Sequence, residues 1–362
     1  MKLHRTHNKT SGFTSFWQAP INRGASRIRN GFMDSGQDGY QLVTRQARVT
    51  GFDISSNKLE DLKSKYKHGK ISKAAYIVQM HQIHKNLFDY SQFIKTSDIG
   101  KIEIADDFVL MTTRDRGIKL IEDRDDRRSI PLEILNFGSY EKEYLDMTLR
   151  LIRDGFTVFD IGANTGWYTI NIAKAKKKVS LFSFEPIPKT FRKLSQNLKI
   201  NKISTPIKSG STPRIFNFGF HNRSGEVNFY CYKEGPGNAS MRNVSKRRNI
   251  EKIKCQVRRM DDFVTREKVK VDFIKCDVEG AELFVIQGGL AAIKRDKPII
   301  FAEMLRKWST PFGYHPNDVI SLLKSLGYRC FIIKEGKLAP FAKMDEETTE
   351  TNFFFLHSKK HI

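Results

Sequence analysis

The sequence predicts an α/β protein: an open, mostly parallel sheet covered by helices on both faces. Three observations predict it. From residue 157 onward, short β-branched and aromatic runs alternate with segments of helical periodicity, the pattern of strands joined by helical crossovers. Helices lie between most of these runs, which indicates a sheet covered on both faces. One of the first of them runs straight into a glycine turn and a helix start, Val158 to Tyr168.

Taken in order, residues 1–50 are polar and basic with scattered aromatics and are read as a poorly ordered segment. Residues 51–100 are read as a helical extension, with Ile77, Val78, Met80, Ile83 and Leu87 at helical spacing. Residues 101–362 are read as the main domain. Lys101–Ile104 and Phe108–Met111 suggest strands, followed by a polar turn at Asp123–Arg128, and Tyr140–Asp154 suggests a helix. The sheet strands are then Thr157–Ile161, Ser180–Phe184, Arg214–Phe220, Val271–Cys276, Pro298–Met304, Tyr328–Ile333 and Thr351–His357. Helices are expected at Trp167–Ala175, Pro188–Asn197, Ala281–Gly288 and Asn317–Leu326. Gly225–Tyr232 and Ile253–Arg259 break the alternation as extra short strands, flanking a polar loop, Lys233–Asn249.

The chain carries 63 basic and 40 acidic residues, a net charge of +23. Such a balance attracts polyanions: nucleic acid, anionic lipid or an acidic glycan. The basic tail of the polar loop, Lys246-Arg247-Arg248, and the basic-aromatic helical extension suit an anionic acceptor and peripheral membrane contact respectively. Cys231, Cys255, Cys276 and Cys330 form no C-x-x-C pair and lie near no histidine cluster, which argues against a zinc site or a disulfide framework. With no apolar core in Met1–Pro20, these thiols are expected to be reduced residues of a cytoplasmic protein.

Three segments carry chemistry. In Asp160-Ile161-Gly162-Ala163-Asn164-Thr165-Gly166 the two glycines let the backbone turn tightly and approach a ligand. The spacing is D-x-G-x-x-x-G, neither the G-x-G-x-x-G of dinucleotide sites nor a Walker loop with its lysine. A ligand with a sugar and a base but no phosphate suits it better. Glu185, in Phe184-Glu185-Pro186, lies at the end of the next strand, 19 residues after Gly166. That is where an acidic residue can accept both ribose hydroxyls. Third, the strand Val271–Cys276 ends in Asp277-Val278-Glu279-Gly280-Ala281-Glu282. Asp277 and Glu279, with Glu303 at the end of a later strand, would face one crevice. Such carboxylates can act as a base, hold a substrate hydroxyl or bind a cation. They could supply oxygen ligands to a divalent metal, although nothing in the sequence requires one.

Together these segments resemble the FkbM-type methyltransferases, a branch of the class I S-adenosylmethionine-dependent enzymes. Phe137-Gly138 with Tyr140-Glu141, Gly225-Glu226-Val227, Met260-Asp261-Asp262-Phe263 and Asn352-Phe353-Phe354 extend the resemblance from about Phe137 to Leu356. It implies a Rossmann-like sheet of seven strands with the last antiparallel, S-adenosylmethionine as methyl donor, and methylation of a hydroxyl on a sugar, glycolipid or natural product. In this reading Asp160, Gly162, Ala163, Asn164, Thr165 and Gly166 hold the amino-acid part of the donor and Glu185 its ribose. Asp277 is the first candidate base, with Glu279 and Glu303 behind it. The family's Ala-Leu-Ser-Asp-like run reads Gly219-Phe220-His221-Asn222 here, which puts Asn222 at the adenine contact and His221 beside it.

Two other classes compete with this reading. Amino-methylating enzymes of nucleic acids usually carry an Asn/Asp-Pro-Pro-aromatic motif where this chain has Asp277-Val278-Glu279-Gly280, so nucleic acid is a disfavoured partner despite the charge. A non-catalytic binding module on the same fold is disfavoured by the intact Gly162, Gly166 and Glu185. The acceptor and the oligomeric state are not encoded in any motif.

Overall fold

The computed structural model describes residues 56–204, 213–232, 235–244 and 250–362. The expectation for residues 1–50 and the basic tail Lys246–Arg248 lie outside the described residues. The chain divides into two compact units, Met1–Ser72 and Lys73–Ile362. The described part of the first unit is helix α1 (Ser56–Lys67). The second unit opens on α2 (Lys73–Thr96), so the helices of residues 51–100 fall into different units.

A small antiparallel sheet follows, β1 (Ile99–Ile104), β2 (Val109–Thr113) and β3 (Lys119–Ile121), then α3 (Ile130–Phe137) and α4 (Lys142–Leu151). The main alternation is β4 (Thr157–Ile161), α5 (Trp167–Ala175), β5 (Ser180–Phe184), α6 (Pro188–Ile200) and β6 (Arg214–Phe216). Next come β7 (Gly219–Phe220), β8 (Gly225–Tyr232), β9 (Gly235–Ser240), β10 (Ile250–Arg258) and α7 (Met260–Glu267). The chain then runs through β11 (Phe273–Cys276), α8 (Glu282–Gly288), α9 (Leu290–Asp296), β12 (Ile299–Glu303), α10 (Arg306–Ser309) and α11 (Pro316–Ser325). It closes with β13 (Tyr328–Lys334), β14 (Lys337–Phe341) and β15 (Asn352–His357).

The main sheet has the order β14-β13-β15-β12-β11-β4-β5-β6. β12, β11, β4, β5 and β6 pair in parallel, and β15 is antiparallel to both β12 and β13. Alternate residues of each strand feed two cores. Phe159, Ile274, Phe353 and Phe355 join α7, α8, α9 and α11 on one face. Val158, Phe273 and Phe354 join α3, α4, α5 and α6 on the other. On the first face the rings of Phe159, Phe184, Phe220 and Phe263 meet pairwise at 4.5–6.4 Å, a rigid aromatic floor under the ends of β4 and β5.

Four features differ from expectation. The sheet has eight strands, because Glu335 and Gly336, at φ 50° and 69°, turn β13 into a hairpin with β14. Arg214–Phe220 is two strands: the Asn217 amide donates to the carbonyls of Glu185 (2.9 Å) and Pro186 (3.0 Å), ending β6 there. β7 then leaves for a second sheet, β7-β10-β8-β9. The polar loop 233–249 contains β9, which pairs with β8. Finally, α3 precedes the expected helix, with Ser129 accepting from the Leu132 N–H and Pro131 in its first turn. Among the described residues no helix is long and apolar enough to cross a membrane, and the four cysteines are buried and free.

Candidate active site

The loops after β4, β5, β11 and β12 all leave the carboxyl edge of the sheet, beside the point where strand order reverses between β4 and β11. Ligands of open α/β sheets sit at that crevice. A cavity of ≈ 280 Å³ lies there.

Its first wall is the β4 turn. Gly162 has φ 76°, and a Cβ there would collide with the Asp277 carbonyl oxygen. The glycine is therefore required by the neighbouring acidic turn as much as by any ligand. The N–H groups of Gly162 and Ala163 both donate to the Phe184 carbonyl at 3.0 Å, tying the turn to β5. Asn164 follows in the left-handed region, φ 49°. Its N–H donates to Glu185 Oε2 (3.0 Å), and the Ile187 N–H donates to Oε1 (2.8 Å). Glu185 is thus aimed by two main-chain donors while only 6% exposed. Burial dominates its charge state and lifts its pKa to about 7.

Beneath the cavity runs a cross-strand polar row: Lys275 on β11 pairs with Asp160 on β4, which pairs with Ser183 on β5. The three are 4%, 0% and 0% exposed. Thr169 donates to Asp160 Oδ2 (2.6 Å) and is 2.7 Å from the Ser183 hydroxyl. Lys275 Nζ donates to the Gly162 carbonyl (2.9 Å) and Asp277 Oδ2 (3.2 Å), and lies 3.8 Å from Asp160 Oδ1. Burial works against its charge, but Asp277, Asp160 and Glu141 hold its pKa above the ordinary lysine value. The ammonium stays charged and joins the first turn to the acidic one.

The far wall carries four carboxylates, Glu141, Asp277, Glu279 and Glu303. Asp277 and Glu303 share a side-chain hydrogen bond, which needs a proton on one of them. Glu303 is the protonated partner, its pKa raised well above the usual range by burial and by Asp277, Glu279 and Glu141. Glu279 is raised in the same way by burial, Asp277 and Glu282. Burial and Asp277 also raise Glu141, which accepts from the Tyr168 hydroxyl at 2.8 Å. Glu141 and Glu279 both sit in the left-handed region, at φ 47° and 53°, strain of the kind held at functional sites. Glu282 has a different task. Its Oε1 accepts from the N–H groups of Val278 and Gly280, both at 3.1 Å, and its Oε2 from the Tyr314 hydroxyl, also at 3.1 Å. It clamps the turn that presents Asp277 and Glu279. The Ser240 hydroxyl of β9 donates to the Glu279 carbonyl (2.7 Å).

Residues 160–330 match the family described as the methyltransferase FkbM domain. That segment is similar to an FkbM methyltransferase domain. Methyltransferase 1 of Beauveria bassiana is 28% identical over 37% of this chain and 58% of its own length. The 2-O-methyltransferase NoeI of Sinorhizobium fredii is 26% identical over 40% of this chain and 62% of its own. The hexuronic acid methyltransferase AglP of Haloferax volcanii is 24% identical over 51% of this chain and 67% of its own. The chain thus spans about three fifths to two thirds of the length of these relatives.

Within the matched residues the cavity brings together Gly162, Asn164, Glu185, Asp277, Glu279 and Glu303. Ala163, Thr165 and Gly166 do not line it, and Asp160 lies under the floor rather than on it. Asn222 is elsewhere, donating to Gln287 Oε1 at 2.9 Å. His221 stacks on Phe284, ring centroids 4.9 Å apart, in a neighbouring pocket. Among the described residues no group of three or more His, Cys, Asp or Glu side chains is placed to hold a metal ion; the acids engage one another and Lys275 instead. The sequence reading missed Tyr140, Glu141, Arg128, Lys307 and Trp308, which all line the cavity. Tyr140-Glu141 was legible as a motif segment. Its place in the wall was not, because it comes from the start of α4.

Proposed function

We propose that this chain transfers a methyl group from S-adenosylmethionine to a hydroxyl of a sugar, glycolipid or natural-product acceptor. One observation carries the reading. A single cavity has a main-chain-held carboxylate, Glu185, on one wall and a cluster of acidic side chains around Asp277 on another, with the Gly162 turn between. The residues suit the donor. Glu185 retains lone pairs for ribose hydroxyls, and Ile187 and Phe220 offer apolar contact for a base. The carboxylates favour the cationic sulfonium and amino groups. When bound, S-adenosylmethionine supplies an activated methyl group.

The chain's own residues then have three tasks. The Gly162–Asn164 turn and Glu185 orient the donor, and Asp160 and Lys275 hold that turn from beneath. Asp277, held by Lys275, takes the proton of the acceptor hydroxyl; a positioned base typically contributes about a hundredfold to ten-thousandfold. The protonated Glu303 donates to Asp277 and fixes its orientation, and Glu279 closes the acceptor side. The four free thiols fit a reducing compartment such as the cytoplasm.

The test is incubation with methyl-labelled S-adenosylmethionine and a fractionated host extract. Label in a base-stable ether of a glycan, glycolipid or small molecule supports the reading. Label in nucleic acid, or none despite bound donor, overturns it.

A further inference from the structure

A second cavity, of ≈ 550 Å³, opens beside the first, and Met241 lines both. Its walls come from the second sheet, from α8 and from the segment after α10. They are of two kinds. One is aromatic: His221 stacks on Phe284 with an interplanar angle of 18°, and Phe284 meets Phe312 at 5.9 Å. Burial and the nearby Arg223 lower the His221 pKa, so its ring is neutral at pH 7 and serves as a flat apolar face. The other is cationic. Lys254 is already paired with Glu226 at 3.1 Å. Arg223 and Arg242 are exposed and have no carboxylate partner among the described residues. The Arg242 guanidinium lies over the Phe312 ring, 5.8 Å from its centroid, which orients it toward the pocket.

We propose that this second cavity is the acceptor-recognition site and that it takes an acidic sugar residue next to the one being methylated. The proposal rests on the reading above of the first cavity as the methyl-transfer site. The apolar face of a pyranose packs on a flat ring such as those of His221 and Phe284, and a guanidinium matches a carboxylate bidentately. The shared Met241 puts this platform at the edge of the reaction cavity, so a bound glycan spans the two with adjacent residues. The same rings and arginines would also stack a nucleic acid. The first cavity opposes that: every nucleotide brings a phosphate charge toward the acidic wall around Asp277. A uronic acid brings one carboxylate, held away from the acids by Arg223 and Arg242.

The test is calorimetric titration of the whole protein with trigalacturonic acid, with maltotriose and poly(U) as comparison ligands and S-adenosylmethionine titrated separately. Trigalacturonic acid is expected to bind, maltotriose to bind about tenfold more weakly, the loss of one charge-assisted contact, and poly(U) not to displace it. The exposed-site variant Arg223→Gln/Arg242→Gln is expected to lose that preference while binding S-adenosylmethionine unchanged. Phe284→Leu is expected to weaken both sugars. Equal binding of the two sugars by the native protein, an unchanged preference in the arginine variant, or displacement by poly(U) overturns the proposal. Absent S-adenosylmethionine binding alongside intact sugar binding instead removes the methyl-transfer reading, and the two failures are told apart.

Discussion

The two ends of the reaction cavity hold their carboxylates differently. Glu185 is fixed by main-chain donors, the N–H groups of Asn164 and Ile187. Its position is a property of two turns, and its charge state is that of one buried acid. Asp277, Glu279, Glu303 and Glu141 are held by side chains and by one another, with Lys275 as the fixed cation. Their charge states are collective, and changing one changes the rest. A main-chain-held acid suits a binding contact that must not move. A mutually coupled set suits a site where a proton changes hands.

The largest expected effect breaks the coupled end. Asp277→Asn should lower turnover by about a hundredfold to ten-thousandfold while donor affinity, measured by calorimetry, changes only a few fold. Full turnover would remove the base assignment, and a matching loss of affinity would erase the difference between the two ends. Next, Glu185→Ala should weaken S-adenosylmethionine binding by about tenfold or more, the equivalent of losing a hydrogen bond to a charged group. An unchanged titration would remove the ribose assignment.

A pH series sharpens the contrast. Glu185 titrates at about 7, and only its anion can accept from two ribose hydroxyls. Donor affinity should therefore tighten as pH rises from 6 to 8, and Glu185→Gln should flatten that dependence. A native profile identical to that of the variant would show that Glu185 does not face the donor.

The smallest effect concerns Glu282, whose pKa is also lifted by burial to about 7, from an ordinary 4.5. A raised folded-state pKa contributes stability that is fully present below the unfolded value and is lost as pH rises through the folded one. Measured by thermal unfolding, Glu282→Gln should therefore gain on the native protein between pH 5 and pH 8, whatever its offset at either end. A constant offset would mean that Glu282 is ionised throughout.

Much of the fold was legible because short runs rich in β-branched and aromatic residues alternate with segments of helical periodicity. β4 and β5 match their expected bounds, Thr157–Ile161 and Ser180–Phe184. β9 and β14 were not legible. Neither is an apolar run: β9 sits in a polar glycine-bearing stretch and β14 is a partly exposed edge. The division of Arg214–Phe220 depended on one side-chain amide, Asn217, reaching carbonyls 31 and 32 residues away.

The site divides in the same way. By itself the sequence determined the order of the turns, the glycine at 162 and the acids at 185, 277, 279 and 303, since local backbone conformation and strand ends follow from neighbours along the chain. Only the tertiary structure decided which acids share a wall, that Asp160 and Glu282 are supports, that Glu141 joins the cluster and that Asn222 does not reach the cavity. It also decided which carboxylates are charged, because burial and the Lys275 ammonium act through space, between residues that the sequence keeps far apart.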